Sequence, residues 1–178
     1  MNKIVRFPWI VMVVLVIGCA HSTPVTYFSK PEVRKITHDL FDAQIEILKL
    51  DNPFYVAFQL TIANKSNAPL EIDWNKTRYL IGTQDNGVFV FEGIDPESLK
   101  TGIPKELLAP GQTLTKQIMP RKTLAFTGRK EAQKPGKSNF YPGILPNGRN
   151  TVALVLAQGS REWKAPMPFQ IGTQEVKK

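Results

Sequence analysis

From residue 40 onward the hydrophobic positions recur with a period of two, the spacing of strands that turn one face toward a core. The clearest run is 54–63, where Phe54, Val56, Phe58, Leu60 and Ile62 share a face. Ahead of it, 41–49 aligns Phe41, Ala43, Ile45 and Ile47. Beyond the turn cluster Asn64-Lys65-Ser66-Asn67-Ala68-Pro69, alternation resumes at Leu70, Ile72 and Trp74, which puts Trp74 in the core. Asn86-Gly87, between the apolar runs 78–82 and 88–91, predicts a tight hairpin over Gln84-Asp85-Asn86-Gly87, because these residues accept positive φ. A short helical turn is expected around 104–108, then a Pro110-Gly111 turn opening a strand over 112–119. Segments 151–158 and 162–171 pair around Gly159-Ser160. Seven or eight short strands with little helix predict an all-β chain, an antiparallel β-sandwich.

The first 37 residues break this pattern. Lys3 and Arg6 precede an uninterrupted apolar stretch over 9–17, the order of parts in a secretory signal peptide. A bilayer core needs roughly 20 apolar residues as helix, and this stretch is less than half that. Pro8 also opposes its extension as helix toward the amino terminus. Residues 20–37 hold Pro24, Pro31 and several small or charged side chains, and they read as a tether reaching up to ~3.3 Å per residue. An edge strand over 25–28 is the alternative for part of it.

Leu15-Val16-Ile17-Gly18-Cys19 resembles the lipobox of bacterial lipoproteins. The resemblance implies a diacylglyceryl thioether on Cys19, cleavage between Gly18 and Cys19, and a further acyl chain such as palmitate on the new amino terminus. Ala20, where aspartate would favour the inner membrane, leans toward the outer membrane facing the periplasm in a host with two membranes. The expected organisation is a signal peptide over 1–18, a lipidated tether over 19–37, a sandwich over 38–173 and a tail over 174–178. Losing Lys3 and Arg6 lowers the side-chain charge from +8 to +6, so the mature chain stays basic. Cys19 is the only cysteine, so there is no disulfide and the fold rests on hydrophobic packing.

The apolar strand ending in Asn64-Lys65-Ser66, the segment Pro69-Leu70-Glu71-Ile72-Asp73-Trp74 and the turn Leu108-Ala109-Pro110-Gly111 together resemble immunoglobulin-like or fibronectin type III-like domains, and uncharacterised bacterial lipoproteins that carry them. The likeness covers residues 40–172. It lacks the cysteine pair of antibody domains, and the architecture implies no particular activity.

Candidate chemistry is sparse. His21 lies two residues from the anchor, and His38 beside Asp39 lacks a nucleophile motif, so it reads as a solvated or capping group. Glu92, Asp95 and Glu97 cluster in one loop but match no calcium or glycosidase spacing. No catalytic residue, metal site or cofactor is assigned. Segment 121–137 carries Arg121, Lys122, Arg129, Lys130, Lys134 and Lys137 against Glu131, a local charge of +5. It reads as a basic loop, with anionic lipid headgroups or glycan as candidate partners. Nucleic acid is set aside because no stacking aromatics accompany the charges. The sequons at Asn64 and Asn75 are read as turn chemistry.

These readings converge on a non-enzymatic binding or assembly module, lipid-anchored in the bacterial envelope, whose partner is another envelope protein met by strand addition or loop insertion. The alternative is a glycan- or cell-wall-binding lipoprotein with weak hydrolase activity, which requires Trp74, Tyr79 or Trp163 exposed beside acids. The module reading expects buried tryptophans and open sheet edges.

Overall fold

The computed structural model describes residues 24–91, 94, 99–126 and 140–176. Two antiparallel sheets pack face to face as a β-sandwich. The first contains β1 (Val25–Lys30), β14 (Arg161–Glu175), β13 (Gly148–Gln158), β5 (Leu70–Ile72) and β9 (Glu106–Leu108) in that order. β6 (Arg78–Ile81) also pairs with β13, in line with β5, and carries β7 (Gln84–Asp85) on its outer side. The second sheet runs β2 (Val33–Thr37), β3 (Phe41–Leu48), β4 (Ala57–Asn64), β10 (Thr113–Pro120) and β8 (Phe89–Phe91). A small ladder of β11 (Ala125–Phe126) and β12 (Phe140–Tyr141) stands apart.

The period-two pattern fixes which side chains meet between the sheets. Phe41, Ala43, Ile45 and Ile47 on β3 all face inward, as do Phe58, Leu60 and Ile62 on β4. From the other sheet come Leu70, Ile72, Val152, Leu154, Leu156, Met167, Phe169 and Ile171. Phe58 lies at the centre, its ring centroid 5.9 Å from Tyr79, 6.0 Å from Phe89 and 5.4 Å from Phe169. Trp74 is also core, as its place in the alternation predicts.

Several boundaries differ from the sequence reading. The segment read as a tether over 19–37 forms β1 and β2 from Val25 to Thr37, one strand on the edge of each sheet. The chain leaves the first sheet at Lys30 and Pro31 because β1 covers only Gln170 to Glu175 of β14. Next along β14 stand Pro168 and Pro166, which have no N–H to donate, so that stretch is not laddered on its outer side by any described strand. β14 itself continues to Glu175, past the expected end at 173.

The hairpin turns at Gly82-Thr83, not at Asn86-Gly87. Gly82 supplies φ +61 at the first central position, as a II′ turn requires, with Leu80 opposite Asp85 and Ile81 opposite Gln84. Gly87, at φ +91, then carries the chain from the first sheet to the second. Residues 104–108 hold no helical turn. Glu106–Leu108 is strand β9, with Leu108 buried and Leu107 exposed, paired to β5. Phe54 stays outside β4, its ring against Tyr27. Fourteen strands occur among the described residues, because β1–β2 and β5–β6 are each one path broken in two and three two-residue strands add to the total.

Candidate functional site

Three elements line one open cleft, and two of them bring charged side chains to it. The β6–β7 hairpin contributes Arg78 and Asp85, the sheet-crossing segment contributes Gly87 and Val88, and a 3-10 turn after β10 (Arg121–Thr123) contributes Arg121 and Lys122. The space is about 630 Å³. The turn is fixed to its neighbour by the Arg121 N–H, which donates to the Val88 carbonyl at 2.9 Å. The Thr123 hydroxyl donates to the Pro120 carbonyl at 2.9 Å and closes the turn from within. The Lys122 stem lies over Gly87, where an added Cβ would sit 3.6 Å from its Cε.

The charges in the cleft are unequally committed. Asp85 Oδ1 accepts from the Gly87 N–H at 2.6 Å, while Oδ2 lies 3.3 Å from Arg78 Nε. Arg78 Nη1 also donates to the carbonyls of Asn75 and Thr77. Arg78 and Asp85 therefore neutralise each other and build the wall. The head groups of Arg121 and Lys122 have no hydrogen bond or ion pair among the described residues, so within these residues both positive charges remain available.

Arg121 and Lys122 were legible from the basic run. Arg129, Lys130, Lys134 and Lys137 lie outside the described residues, as do Glu92, Asp95, Glu97, His21, Gly18 and Cys19. The sequence reading missed Arg78 and Asp85, because their approach to the 3-10 turn depends on a pairing more than thirty residues distant. One local signal was available: alternation that sends Tyr79 inward leaves Arg78 pointing out.

The remaining polar clusters serve the fold. Trp74 Nε1 donates to Glu106 Oε2 at 3.0 Å, and Lys116 Nζ donates to the same oxygen at 2.6 Å while sitting 4.1 Å from the Phe91 ring centroid. This group joins β9 of one sheet to β8 and β10 of the other. His38 stacks on Phe41 with centroids 4.9 Å apart and tilts against Trp163 at 5.6 Å. Its Nδ1 accepts from the Leu40 N–H at 3.2 Å, the capping arrangement expected for it. Tyr79 donates its hydroxyl to Asn150 Oδ1 at 2.7 Å, and burial pushes its phenol above the ordinary range. Asn75 donates to the Ile103 carbonyl at 2.6 Å and accepts from the Ile103 N–H at 2.8 Å, mimicking a strand neighbour. On the surface Glu162 pairs with Lys76, which raises the lysine and lowers the carboxylate. The hydrogen bond from Lys65 likewise holds Asp42 low.

Among the described residues no group of three or more His, Cys, Asp or Glu side chains could hold a metal ion. No helix among them is long and apolar enough to cross a membrane. Compared with protein families, curated proteins and solved structures, the chain matches none.

Proposed function

We propose that this chain is a lipid-anchored bacterial envelope protein whose sandwich, of immunoglobulin-like type, acts as a non-enzymatic binding or assembly module for another envelope component. The lipobox-like run ending in Cys19 supplies the location, on the outer membrane facing the periplasm in a host with two membranes. The observation that carries the module reading is the division of surface. Trp74 and Tyr79 are 1% and 0% exposed, while β2 holds an edge of the second sheet and begins with the exposed Val33. A glycan platform needs the reverse, flat aromatic faces open to solvent. An edge strand instead offers unpaired backbone groups to an added strand. Arg34 and Lys35 on β2 restrict which strand can approach.

Photo-crosslinkers at Val33 and at Ser160, introduced separately in growing cells, test this. A discrete adduct from Val33 alone, lost when Cys19→Ser frees the protein from membranes, is the expected result. Membrane retention and lipid labelling of Cys19→Ser at the level of the unaltered chain would overturn the anchor. Equal or absent adducts at both positions would overturn the edge. The glycan reading draws on Trp163, which stays half-buried beside His38. It fails if cell-wall fragments leave Trp163 fluorescence unchanged.

A further inference from the structure

The two ends of the sandwich are not equivalent, and the Arg121–Lys122 side of the cleft lies at the end where the chain begins. β1 starts at Val25 opposite Glu175, β13 starts at Gly148 opposite Ile171, and β6 ends at Ile81 opposite Asn150. In the second sheet β10 ends at Pro120 and runs into the turn that carries Arg121 and Lys122. Cross-connections confirm that these termini share one end. Lys49 Nζ, after β3, donates to the Tyr27 carbonyl of β1 at 2.8 Å, and the Leu145 N–H, before β13, donates to the Tyr55 carbonyl at 2.8 Å. The β13–β14 turn at Gly159-Ser160 marks the opposite end.

Covalent geometry makes this placement matter. From Cys19 to Val25 the chain spans at most ~20 Å, even fully extended. In the second sheet β3 and β10 flank β4, with Leu48 opposite Ala57 and Ile118 opposite Phe58, so Arg121 lies level with the residues just after β3, roughly 10 Å to their side at about 4.8 Å per strand. Arg78, opposite Ala153, stands deeper along the first sheet than the start of β1 opposite Glu175. A lipid on Cys19 therefore brings this end of the sandwich, and with it Arg121 and Lys122 at the mouth of the cleft, down to the headgroup layer.

We propose that the Arg78–Arg121–Lys122 cleft faces the bilayer and receives the phosphate of an anionic phospholipid headgroup. Arg121 and Lys122 are the ligands. A guanidinium suits phosphate oxygens through paired N–H donors, and an ammonium adds a point charge. Arg78 and Asp85 form the frame, because their own charges are already paired. The inference rests on the lipid-anchor reading but adds to it an orientation and a ligand chemistry.

The test uses the full chain isolated from membranes and reconstituted in vesicles. A fluorophore on Thr83→Cys, at the cleft rim, or on Ser160→Cys, at the far end, is quenched by headgroup-labelled lipid. Thr83 quenching is expected to rise when phosphatidylglycerol replaces part of the phosphatidylcholine, with Ser160 unaffected. In Arg121→Gln/Lys122→Gln, with unchanged melting, the docked-to-undocked ratio falls roughly 30-fold, from the attraction of two basic residues to an anionic surface. The mass of the amino-terminal fragment is read from the same sample. An unmodified Cys19 overturns the anchor, whereas an acylated Cys19 with Thr83 quenching indifferent to phosphatidylglycerol overturns the cleft alone. If millimolar inorganic phosphate at constant ionic strength abolishes the phosphatidylglycerol effect, the site serves free phosphate and the bilayer assignment falls.

Discussion

Asn64 is 2% exposed and uses both ends of its amide. Its Nδ2 donates to the carbonyls of Ala68 and Leu108, each at 2.9 Å, and its Oδ1 accepts from the N–H and hydroxyl of Ser66 at 3.0 and 2.7 Å. Gln158 extends the knot by donating to the Ser66 hydroxyl at 2.8 Å and the Ala68 carbonyl at 3.0 Å. One side chain thus ties the end of β4 to the following turn and to β9 in the other sheet. Removing it takes the buried side-chain donor from the Leu108 carbonyl and the acceptor from the Ser66 N–H, so Asn64→Ala is expected to lower unfolding stability by about 2–4 kcal/mol in urea titration. Asn64→Asp is expected to do comparable damage, since a carboxylate cannot donate to either carbonyl. Stability retained in the aspartate variant would show that the donated bonds do not matter.

At the scale of elements, the 3-10 turn that carries Arg121 and Lys122 depends on a glycine in another segment. Gly143 lies directly against the Thr123 carbonyl, and a Cβ there would fall 2.9 Å from the carbonyl carbon and closer still to its oxygen. The obstacle is backbone, so no rotamer relieves it. Gly143→Ala is expected to cost about 1–3 kcal/mol. It should also speed amide exchange at Leu124, whose N–H donates to the Arg121 carbonyl. Unchanged exchange with unchanged stability would show that the turn is not braced from this side. Such contacts mark the limit of what the sequence discloses. The core strands were legible because Phe41–Leu48 and the stretch 165–171 of β14 alternate without interruption, and each inward side chain is buried. The Gly82 turn was misplaced because Asn86-Gly87 is the stronger local signal, yet the register of Leu80 against Asp85 is set by how both strands meet the sheet. Half of the cleft was visible as a basic run. The other half, Arg78 and Asp85, is brought to it by sheet pairing, which period-two alternation does not encode.

For the molecule as a whole, the decisive correction is that residues 25–37 belong to the domain. β1 adds to β14 in one sheet and β2 adds to β3 in the other, so a single stretch of chain borders both layers. Ser29 is buried there, and Tyr27 and Ile36 pack against the core. At the opposite edge the Trp74–Glu106–Lys116 group joins the same two layers through side chains. The sandwich is therefore held along both edges, by backbone alone on the β1–β2 side and by backbone crossings together with a shared carboxylate on the other. A tether could be cut away without consequence, but two edge strands cannot. Deleting the chain up to Thr37 is expected to remove about 3 kcal/mol of stability, from three half-buried side chains, Tyr27, Phe28 and Ile36. It would also leave β3 and the last residues of β14 as open edges, so the truncated protein should aggregate as well as melt earlier. Comparing it with a chain cut only up to Thr23 isolates the effect of the strands. Equal melting of the two by calorimetry, with both monomeric in light scattering, would mean that β1 and β2 contribute nothing to the fold. The expected outcome also bears on the anchor proposed at Cys19: a lipid there would be joined to β1 by residues 19–24 alone, close enough for one end of the sheets to meet the membrane surface.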